Sequence, residues 1–357
     1  MKILILGAGL IGACLAYRLT RAGCTVTVVE AATPASGASG SSFGWINASF
    51  YLNPSHHHLR AVAIAAHHRL TTDLRSPAPS WSGTLWFEGQ GDTLTRLLTD
   101  LTALNYPVNL VTNPAALEPA LLTPPAQALH LPSEGATDAA TLTRALLAAS
   151  GATLIPNTPA TKLLTHNGQI TGAETAAGPL RADHTILATG TGTPHLLHTI
   201  GLDLPIVHRP GLILRTNPVP FRLNHILVTP HQEIRQLADG SLLTPCAANH
   251  QADASETVPD TALQTTLTHL ATLFGPVTPA ETRLAYRPVP ADGLPVLGQT
   301  APGLSLAVMH SGVTLAPLAA EALTADLTGQ PPHPLWHLYR PQMQTTPAMG
   351  TGSQQTS

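Results

Sequence analysis

The chain has 357 residues, which is long enough for two domains of ordinary size. Hydrophobic residues make up 43% of it and charged residues only 10%, so we expect a large buried core rather than a disordered protein. The formal net charge is −3 and the 17 basic residues are scattered, which argues against nucleic acid as a partner because such binding needs a basic stripe.

The predicted elements begin with a buried strand over 3–6, a helix over 10–22 that Gly23 closes, and a strand over 25–30. A loop rich in Ala, Ser and Gly follows over 31–45. Hydrophobic periodicity then predicts helices over 56–74, 92–104, 138–149, 260–274 and 315–327, and strands over 86–88, 129–131, 153–155 and 304–308. The segments 160–175 and 180–188 resemble a hairpin, the segment 206–250 alternates as antiparallel strands do, and the tail after Arg340 is expected to be disordered.

Parallel-type strands with glycine turns lie at the start of the chain, around residue 185 and around residue 305, and antiparallel segments fill the intervals. This order predicts an α/β fold in which a Rossmann-type nucleotide-binding domain receives an inserted antiparallel-sheet α+β domain. We expect the discontinuous nucleotide-binding domain at 1–48, 135–205 and 284–330, the second domain at 49–134 and 206–283, and a disordered tail at 341–357.

The three cysteines, Cys14, Cys24 and Cys246, form neither a CxxC pair nor an even framework, and we interpret them as reduced thiols of a cytoplasmic protein. The apolar start of the chain is interrupted by glycines and runs on into the first helix, so we expect no export signal. No segment reaches the roughly 18 uninterrupted apolar residues that a membrane span needs. The sequence leaves open whether the chain assembles with copies of itself.

The run Gly7-Ala8-Gly9-Leu10-Ile11-Gly12 is a GxGxxG motif that directly follows a strand and opens a helix, which is the context that gives the motif meaning. Its glycines permit a tight turn, a close backbone approach to a pyrophosphate and close packing of helix on strand. The helix N-terminus offers N–H groups and a partial positive charge to phosphates. Glu30 ends the second strand, 18 residues after Gly12, where its carboxylate can accept hydrogen bonds from ribose and repels a 2′-phosphate. The motif therefore predicts FAD or NAD rather than NADP.

The loop ASGASGSSFGWI over 35–46 directly follows the acidic strand end and suits a longer cofactor that needs more backbone donors. Here the sequence resembles the FAD-dependent D-amino acid oxidase superfamily, which includes glycine oxidase, sarcosine oxidase and D-amino acid dehydrogenase and carries a similar GASG-x-x-x-GW stretch. The resemblance recurs at Ala160-Thr161, at Ala188-Thr189-Gly190, in YRPVPADGLPVLG over 286–298 and in HSGVTLAP over 310–317. It covers roughly residues 1–330 in the order of the family.

This resemblance implies a glutathione-reductase-like FAD/NAD(P)-binding fold, with FAD as the cofactor and the inserted domain as the substrate domain. In the family the run over 310–317 lies next to the flavin ring, where backbone N–H groups at the helix start would stabilise negative charge. No histidine or cysteine lies where relatives attach FAD covalently, so we expect non-covalent FAD. The implied cofactor-binding residues are Gly7, Gly9, Leu10, Ile11, Gly12, Glu30, Ala31, Ala38, Ser39, Ser42, Phe43, Gly44, Trp45, Ile46, Ala160, Thr189, Gly190, His310, Ser311, Gly312, Val313 and Thr314.

Arg287 is the candidate for binding a substrate carboxylate, because a guanidinium matches a carboxylate bidentately and the arginine of this motif does so in relatives. A buried ion pair or domain packing is the alternative role for Arg287. Trp45 is expected to form an apolar wall beside the flavin ring, with core packing as the alternative. His231 or Glu233 would line the pocket unless each is solvated. The histidines at 56–58, 67 and 68 lack the spacing and the carboxylate of a metal site, so no metal is expected.

Together these residues predict an FAD-dependent oxidoreductase that oxidises a small amine or amino acid by hydride transfer, giving an imine that water hydrolyses. The products would be a keto acid or aldehyde and ammonia or an amine, with hydrogen peroxide where oxygen reoxidises the flavin. A quinone- or carrier-linked amino acid dehydrogenase of the same fold is the first alternative. A non-catalytic or tRNA-modifying FAD-binding protein is the second, and it would need a basic face that the net charge does not support.

Overall fold

The computed structural model describes residues 1–75, 77–246 and 260–345. The end of the alternating segment, at 247–250, and most of the tail that was expected to be disordered, at 346–357, lie outside the described residues. Within the described ranges the helices are α1 (Leu10–Arg21), α2 (Pro54–Leu74), α3 (Asp92–Ala103), α4 (Pro114–Leu117), α5 (Ala139–Ser150), α6 (Thr193–His198), α7 (Ala262–Phe274) and α8 (Gly312–Leu327), with 3-10 turns at Gly190–Gly192 and Trp336–Tyr339. None of the helices in these ranges combines the length and the apolar character that crossing a bilayer requires.

Short strands alternate with these helices along the whole described chain. In order they are β1 (Lys2–Leu6), β2 (Thr25–Val29), β3 (Trp45–Ile46), β4 (Thr84–Trp86), β5 (Asn109–Val111), β6 (Ala128–Leu131), β7 (Gly135–Ala136), β8 (Thr153–Ile155), β9 (Ala160–His166), β10 (Gln169–Thr175), β11 (Gly178–Arg181), β12 (His184–Leu187), β13 (Leu202–Asp203), β14 (Ile206–Pro218), β15 (Ile226–Val228), β16 (Glu233–Gln236), β17 (Ser241–Pro245), β18 (Pro279–Pro290), β19 (Val296–Ala301), β20 (Leu304–Val308) and β21 (Gln344–Thr345).

One sheet has six strands in the order β19-β20-β12-β1-β2-β8, with an apolar core on each face. All its neighbours pair in parallel except β19, which is antiparallel to β20. Alternate side chains of β1 enter two different cores, with Ile3 and Ile5 on the side of α1 and α8 and Leu4 and Leu6 on the opposite side. Burial on both faces explains why β1 is apolar at successive positions. The predicted Rossmann-type sheet is thereby confirmed.

The inserted sheet is also confirmed, as an eight-stranded sheet in the order β18-β14-β17-β16-β15-β4-β6-β5. Its neighbours are antiparallel except β15 and β4, which run parallel. The described residues also form a three-stranded antiparallel sheet, β11-β10-β9, and two short pairs, β3 with β7 and β13 with β21. Part of the tail over 341–357 therefore pairs as β21 with residues 202–203.

Two segments lie differently from the domain boundaries expected from the sequence. The strand β18 continues through residue 284 to residue 290, because its ladder with β14 runs from Pro279 to Pro290 without leaving the inserted sheet. The helix α2 was expected in the second domain, but its apolar residues pack in the same core as α1 and α8. These core residues of α2 are Leu59, Ala63, Ala66 and Leu70, which recur at helical spacing on one face.

Candidate active site

The first turn of the chain has no room for side chains at two of its glycines. Gly7 has φ +104°, and a Cβ there would lie 2.4 Å from the carbonyl oxygen of Ala188 at the end of β12. A Cβ on Gly12 would lie 2.0 Å from the carbonyl oxygen of Gly7. The first backbone bond of α1 joins the N–H of Ala13 to the carbonyl of Gly9, so the N–H groups of the preceding turn have no acceptor within the helix. This turn provides the close backbone approach that a pyrophosphate needs.

Glu30 lies at the end of β2 and holds the first turn in place. One carboxylate oxygen accepts from the N–H of Ala8 at 2.8 Å, and the other accepts from the N–H of Ala32 at 3.0 Å. Each oxygen keeps a further lone pair with which it could accept from a ribose hydroxyl. The N–H of Thr158 donates to the carbonyl of Glu30 at 2.8 Å and so brings the segment before Ala160 to the same edge. Ala31, the next residue along, is exposed.

The loop over 35–46 is tied to both domains. Ser39 Oγ accepts from the N–H of Leu10 at 2.9 Å, so the loop reaches the start of α1. Arg235 Nε, from β16 of the inserted sheet, donates to the carbonyl of Phe43 at 2.6 Å. Gly44 has φ +80° and no space for a Cβ, which would lie 2.0 Å from the carbonyl oxygen of Thr137. Of the residues of this loop that were predicted to bind the cofactor, Gly44 and Ile46 are buried, and the others are partly accessible, namely Ala38, Ser39, Ser42, Phe43 and Trp45.

The start of α8 meets the start of α1. A Cβ on Gly312 would lie 3.3 Å from Ile11 Cδ1, and the residue before it, Ser311, has φ +58°. The first backbone bond of α8 joins the N–H of Leu315 to the carbonyl of Ser311. The N–H groups of Gly312, Val313 and Thr314 therefore stand in the turn that has no intrahelical acceptors. The side chain of Thr314 is buried and bonds to Trp45 and Asn47, so only its backbone could serve a ligand.

Arg287 belongs to the inserted sheet, and His310 lies two residues before the start of α8. Arg287, on β18, is partly buried, and its Nη2 donates to the carbonyl of Pro210 at 3.4 Å. Burial lowers the pKa of Arg287, the charge of Arg209 lowers it further, and the carboxylate of Glu233 opposes both. Burial also lowers the pKa of His310 to about 3, with smaller effects from Arg287, Arg60, Arg209 and His56. His310 is therefore neutral near pH 7, and the charges of three guanidinium groups act on it.

The remaining candidates from the sequence occupy different surroundings. Trp45 Nε1 donates to Glu134 Oε2 at 3.1 Å and to Thr84 Oγ1 at 3.2 Å. His231 lies exposed in the turn between β15 and β16 and stacks on His269, with 3.7 Å between ring centroids. The structure places Glu233 within electrostatic reach of Arg287, and gives His231 no such contact among its described interactions. Thr189 and Gly190 lie in the turn after β12, beside the first turn of the chain.

Sequence reasoning missed Glu134, which organises the segment after β3. Glu134 is fully buried, and burial raises the pKa of its carboxyl although several donors oppose that effect. The carboxylate accepts from Trp45 Nε1, from the N–H groups of Ala48 and Ser49, and from the Tyr106 hydroxyl. No local pattern marks Glu134 in the sequence, because its partners come from two distant segments, residues 45–49 and Tyr106.

The donor set fits a dinucleotide. Two neighbouring helix starts offer backbone N–H groups, a tight glycine turn precedes the first of them, and the carboxylate of Glu30 suits a ribose. Together with the parallel sheet, these features define a Rossmann-type dinucleotide-dependent enzyme with a separate sheet over its cofactor cleft.

Comparison with known proteins identifies the family. The family of FAD dependent oxidoreductases called DAO matches residues 2–327, and the chain belongs to this family. Glycine oxidase of Geobacillus kaustophilus is 27% identical over 356 residues, covering 91% of this chain and 92% of that protein. A crystal structure of glycine oxidase from the same organism superposes with a TM-score of 0.82 at 24% identity, covering 92% of this chain and 95% of that one.

Two further relatives are similar over different lengths. D-amino acid dehydrogenase of Cereibacter sphaeroides is 27% identical over 405 residues, covering 93% of each chain. Glycine oxidase of Pseudomonas putida is 29% identical over 215 residues, and the match spans about half of each protein, 54% in both cases. The chain is therefore an FAD-dependent oxidoreductase similar to glycine oxidase and D-amino acid dehydrogenase.

Proposed function

We propose that this FAD-dependent oxidoreductase oxidises the C–N bond of a small amino acid or amine whose carboxylate is bound by Arg287. The observation that carries the proposal is the position of the Arg287 guanidinium, which lies within electrostatic reach of His310, next to the helix start at Gly312. A guanidinium presents a planar pair of donors that matches a carboxylate. The relatives named glycine oxidase and D-amino acid dehydrogenase support an amino acid as the substrate.

Different groups of residues in the cleft would bind different parts of FAD. The N–H groups of Ile11 and Gly12 would hold the pyrophosphate, Glu30 the ribose, and the segment around Ala160 the adenine. The loop over 42–46 and the run over 310–314 would hold the ring. When bound, FAD would accept a hydride from the substrate carbon that is attached to the nitrogen.

The helix start of α8 provides the electrostatic support. Its first N–H groups, at Gly312, Val313 and Thr314, carry the positive end of the helix dipole and would stabilise negative charge on the ring. His310 is neutral because burial and nearby guanidinium groups lower its pKa to about 3, so it adds no further cation to the cleft. Water that enters after oxidation would hydrolyse the product imine to a keto acid or aldehyde and ammonia or an amine.

We also propose that FAD is bound without a covalent bond. The residue before the Tyr286-Arg287 pair is Ala285, and the loop over 36–46 contains neither histidine nor cysteine. Acid precipitation should therefore leave the flavin in the supernatant. Flavin that stays with the precipitated protein would contradict this part of the proposal.

An anaerobic spectral titration across a library of amines tests the function directly. Loss of the visible flavin absorption with glycine, sarcosine, proline or D-amino acids is the expected result. Hydrogen peroxide formed in air with the same substrate would identify an oxidase. Flavin reduction without peroxide would identify a carrier-linked dehydrogenase, which similarity to D-amino acid dehydrogenase supports as the second candidate. Failure of every amine and amino acid to reduce the flavin would overturn both.

A further inference from the structure

Arg209 and Arg287 face each other across two neighbouring strands. The antiparallel register of β14 with β18 places them directly opposite, and opposite residues of an antiparallel pair project from the same face of the sheet. Their Cβ atoms are then about 4.5–5.5 Å apart, a spacing at which like charges destabilise the pair. Both guanidinium groups act on His310, because the charge of each lowers the pKa of that histidine. The register of β14 with β18 therefore brings two guanidinium groups to one face of the inserted sheet.

Directly to one side of this arginine pair the same face of the sheet carries only small residues, whereas on the other side Val207 opposes Val289. The next opposed pair on the same face is Gly211 with Ala285, and a Cβ on Gly211 would lie 3.6 Å from Arg287 Nε. The guanidinium of Arg287 thus extends along the glycine, toward the strand that carries Arg209. Glu233, on β16, supplies a carboxylate whose charge reaches Arg287.

We propose that Arg209 and Arg287 together bind a substrate with two carboxylates, one on each guanidinium, so that Arg209 determines specificity. The substrate class is then a dicarboxylic amino acid or an N-carboxymethyl amino acid, and Glu233 accepts a hydrogen bond from its nitrogen. This inference rests on the proposed function, because it assigns a second recognition group to the same cleft. A substrate with two carboxylates can form a charge-assisted pair with each of the two opposed guanidinium groups, whereas a monocarboxylate can pair with only one of them.

Matched substrate pairs test the inference by kinetics. The rate constants for anaerobic flavin reduction are compared for aspartate and asparagine, for glutamate and glutamine, and for N-carboxymethylglycine and sarcosine. The wild-type holoenzyme should favour the dicarboxylate of at least one pair by about tenfold or more, since a charge-assisted pair is lost in the other member. Arg209→Met should lower this ratio about tenfold, and Arg209→Lys should retain part of it.

Arg215→Met is the matched control, because Arg215 lies on the same strand but is opposed by Glu281 and paired with Asp239. Its ratio of dicarboxylate to monocarboxylate rates should equal that of the wild type. Equal wild-type rates within all three pairs, or a loss in Arg209→Met that is the same for both members of the preferred pair, would overturn the inference while leaving the proposed function intact.

A binding measurement separates the two proposals. The oxidised holoenzyme is titrated with succinate and with butyrate, and the perturbation of the flavin spectrum reports binding without turnover. Succinate should bind the wild type about tenfold or more tightly than butyrate, and Arg209→Met should abolish that difference. If no amine reduces the flavin but succinate still binds in an Arg209-dependent way, the proposed function fails and the dianion site stands. Equal binding of both acids to the wild type would overturn the dianion site.

Discussion

Replacing Gly12 by alanine should weaken the binding of FAD, because the added methyl group has no space. The Cβ would lie 2.0 Å from the carbonyl oxygen of Gly7, whereas ordinary contacts begin at 3.4 Å, so the turn must open by about 1.4 Å. Such overpacking costs about 1–3 kcal/mol. The better helix propensity of alanine returns up to about 1 kcal/mol, which leaves the clash as the larger effect. The same backbone would hold the pyrophosphate, so FAD affinity should fall about tenfold or more.

Gly37→Ala is the matched control for Gly12→Ala. Gly37 lies in the Ser/Gly loop, and a Cβ there would meet no atom within 4 Å. Apoprotein is prepared by acid treatment, refolded and titrated with FAD, and quenching of flavin fluorescence gives the dissociation constant. Far-UV circular dichroism checks that both variants are folded. Gly12→Ala binding FAD as tightly as the wild type, or Gly37→Ala losing affinity to the same extent, would refute the reasoning.

Two further predictions concern stability. Glu134→Gln should destabilise the fold by about 1–3 kcal/mol, because an amide NH2 would face one of the donors that now bind the carboxylate; an unchanged thermal midpoint would contradict this role. His67 is buried and its pKa is lowered from 6.5 to about 4, chiefly by burial. The folded state thus favours the neutral ring. Above pH 6.5 this preference contributes on the order of 3 kcal/mol to the free energy of unfolding, and the contribution is lost as the pH falls through 4. His67→Gln should flatten the decline of the denaturant midpoint between pH 7 and pH 4, and an equally steep decline in the variant would count against the assignment.

Elements governed by short-range patterns were predictable from the sequence. The strands Thr153–Ile155 and Leu304–Val308 have the predicted bounds, and the strand and helix around the GxGxxG run differ from prediction by one residue at one end each. These segments combine apolar runs with glycine at the turns, and both signals are local. The fold class followed because such strands recur at separated places along the chain.

The features that could not be predicted from the sequence depend on contacts between residues that are far apart along the chain. Arg287 contacts the carbonyl of Pro210, 77 residues away, and the register that opposes it to Arg209 depends on the whole β14–β18 ladder. The helix α2 comes after residue 49, where the second domain was expected to begin, but its apolar face packs in the core that contains α1 and α8. Glu134 is an isolated acidic residue in the sequence, and only the fold surrounds it with donors.

The role of Arg287 is tested most directly by single-turnover reduction of the flavin. Rapid mixing of anaerobic holoenzyme with an amino acid substrate gives the substrate dissociation constant and the limiting reduction rate. For Arg287→Met we predict a dissociation constant about ten- to a hundredfold higher than the wild type, with the same FAD content per chain. An Arg287→Met enzyme that binds the amino acid as tightly as the wild type would show that the carboxylate is held elsewhere.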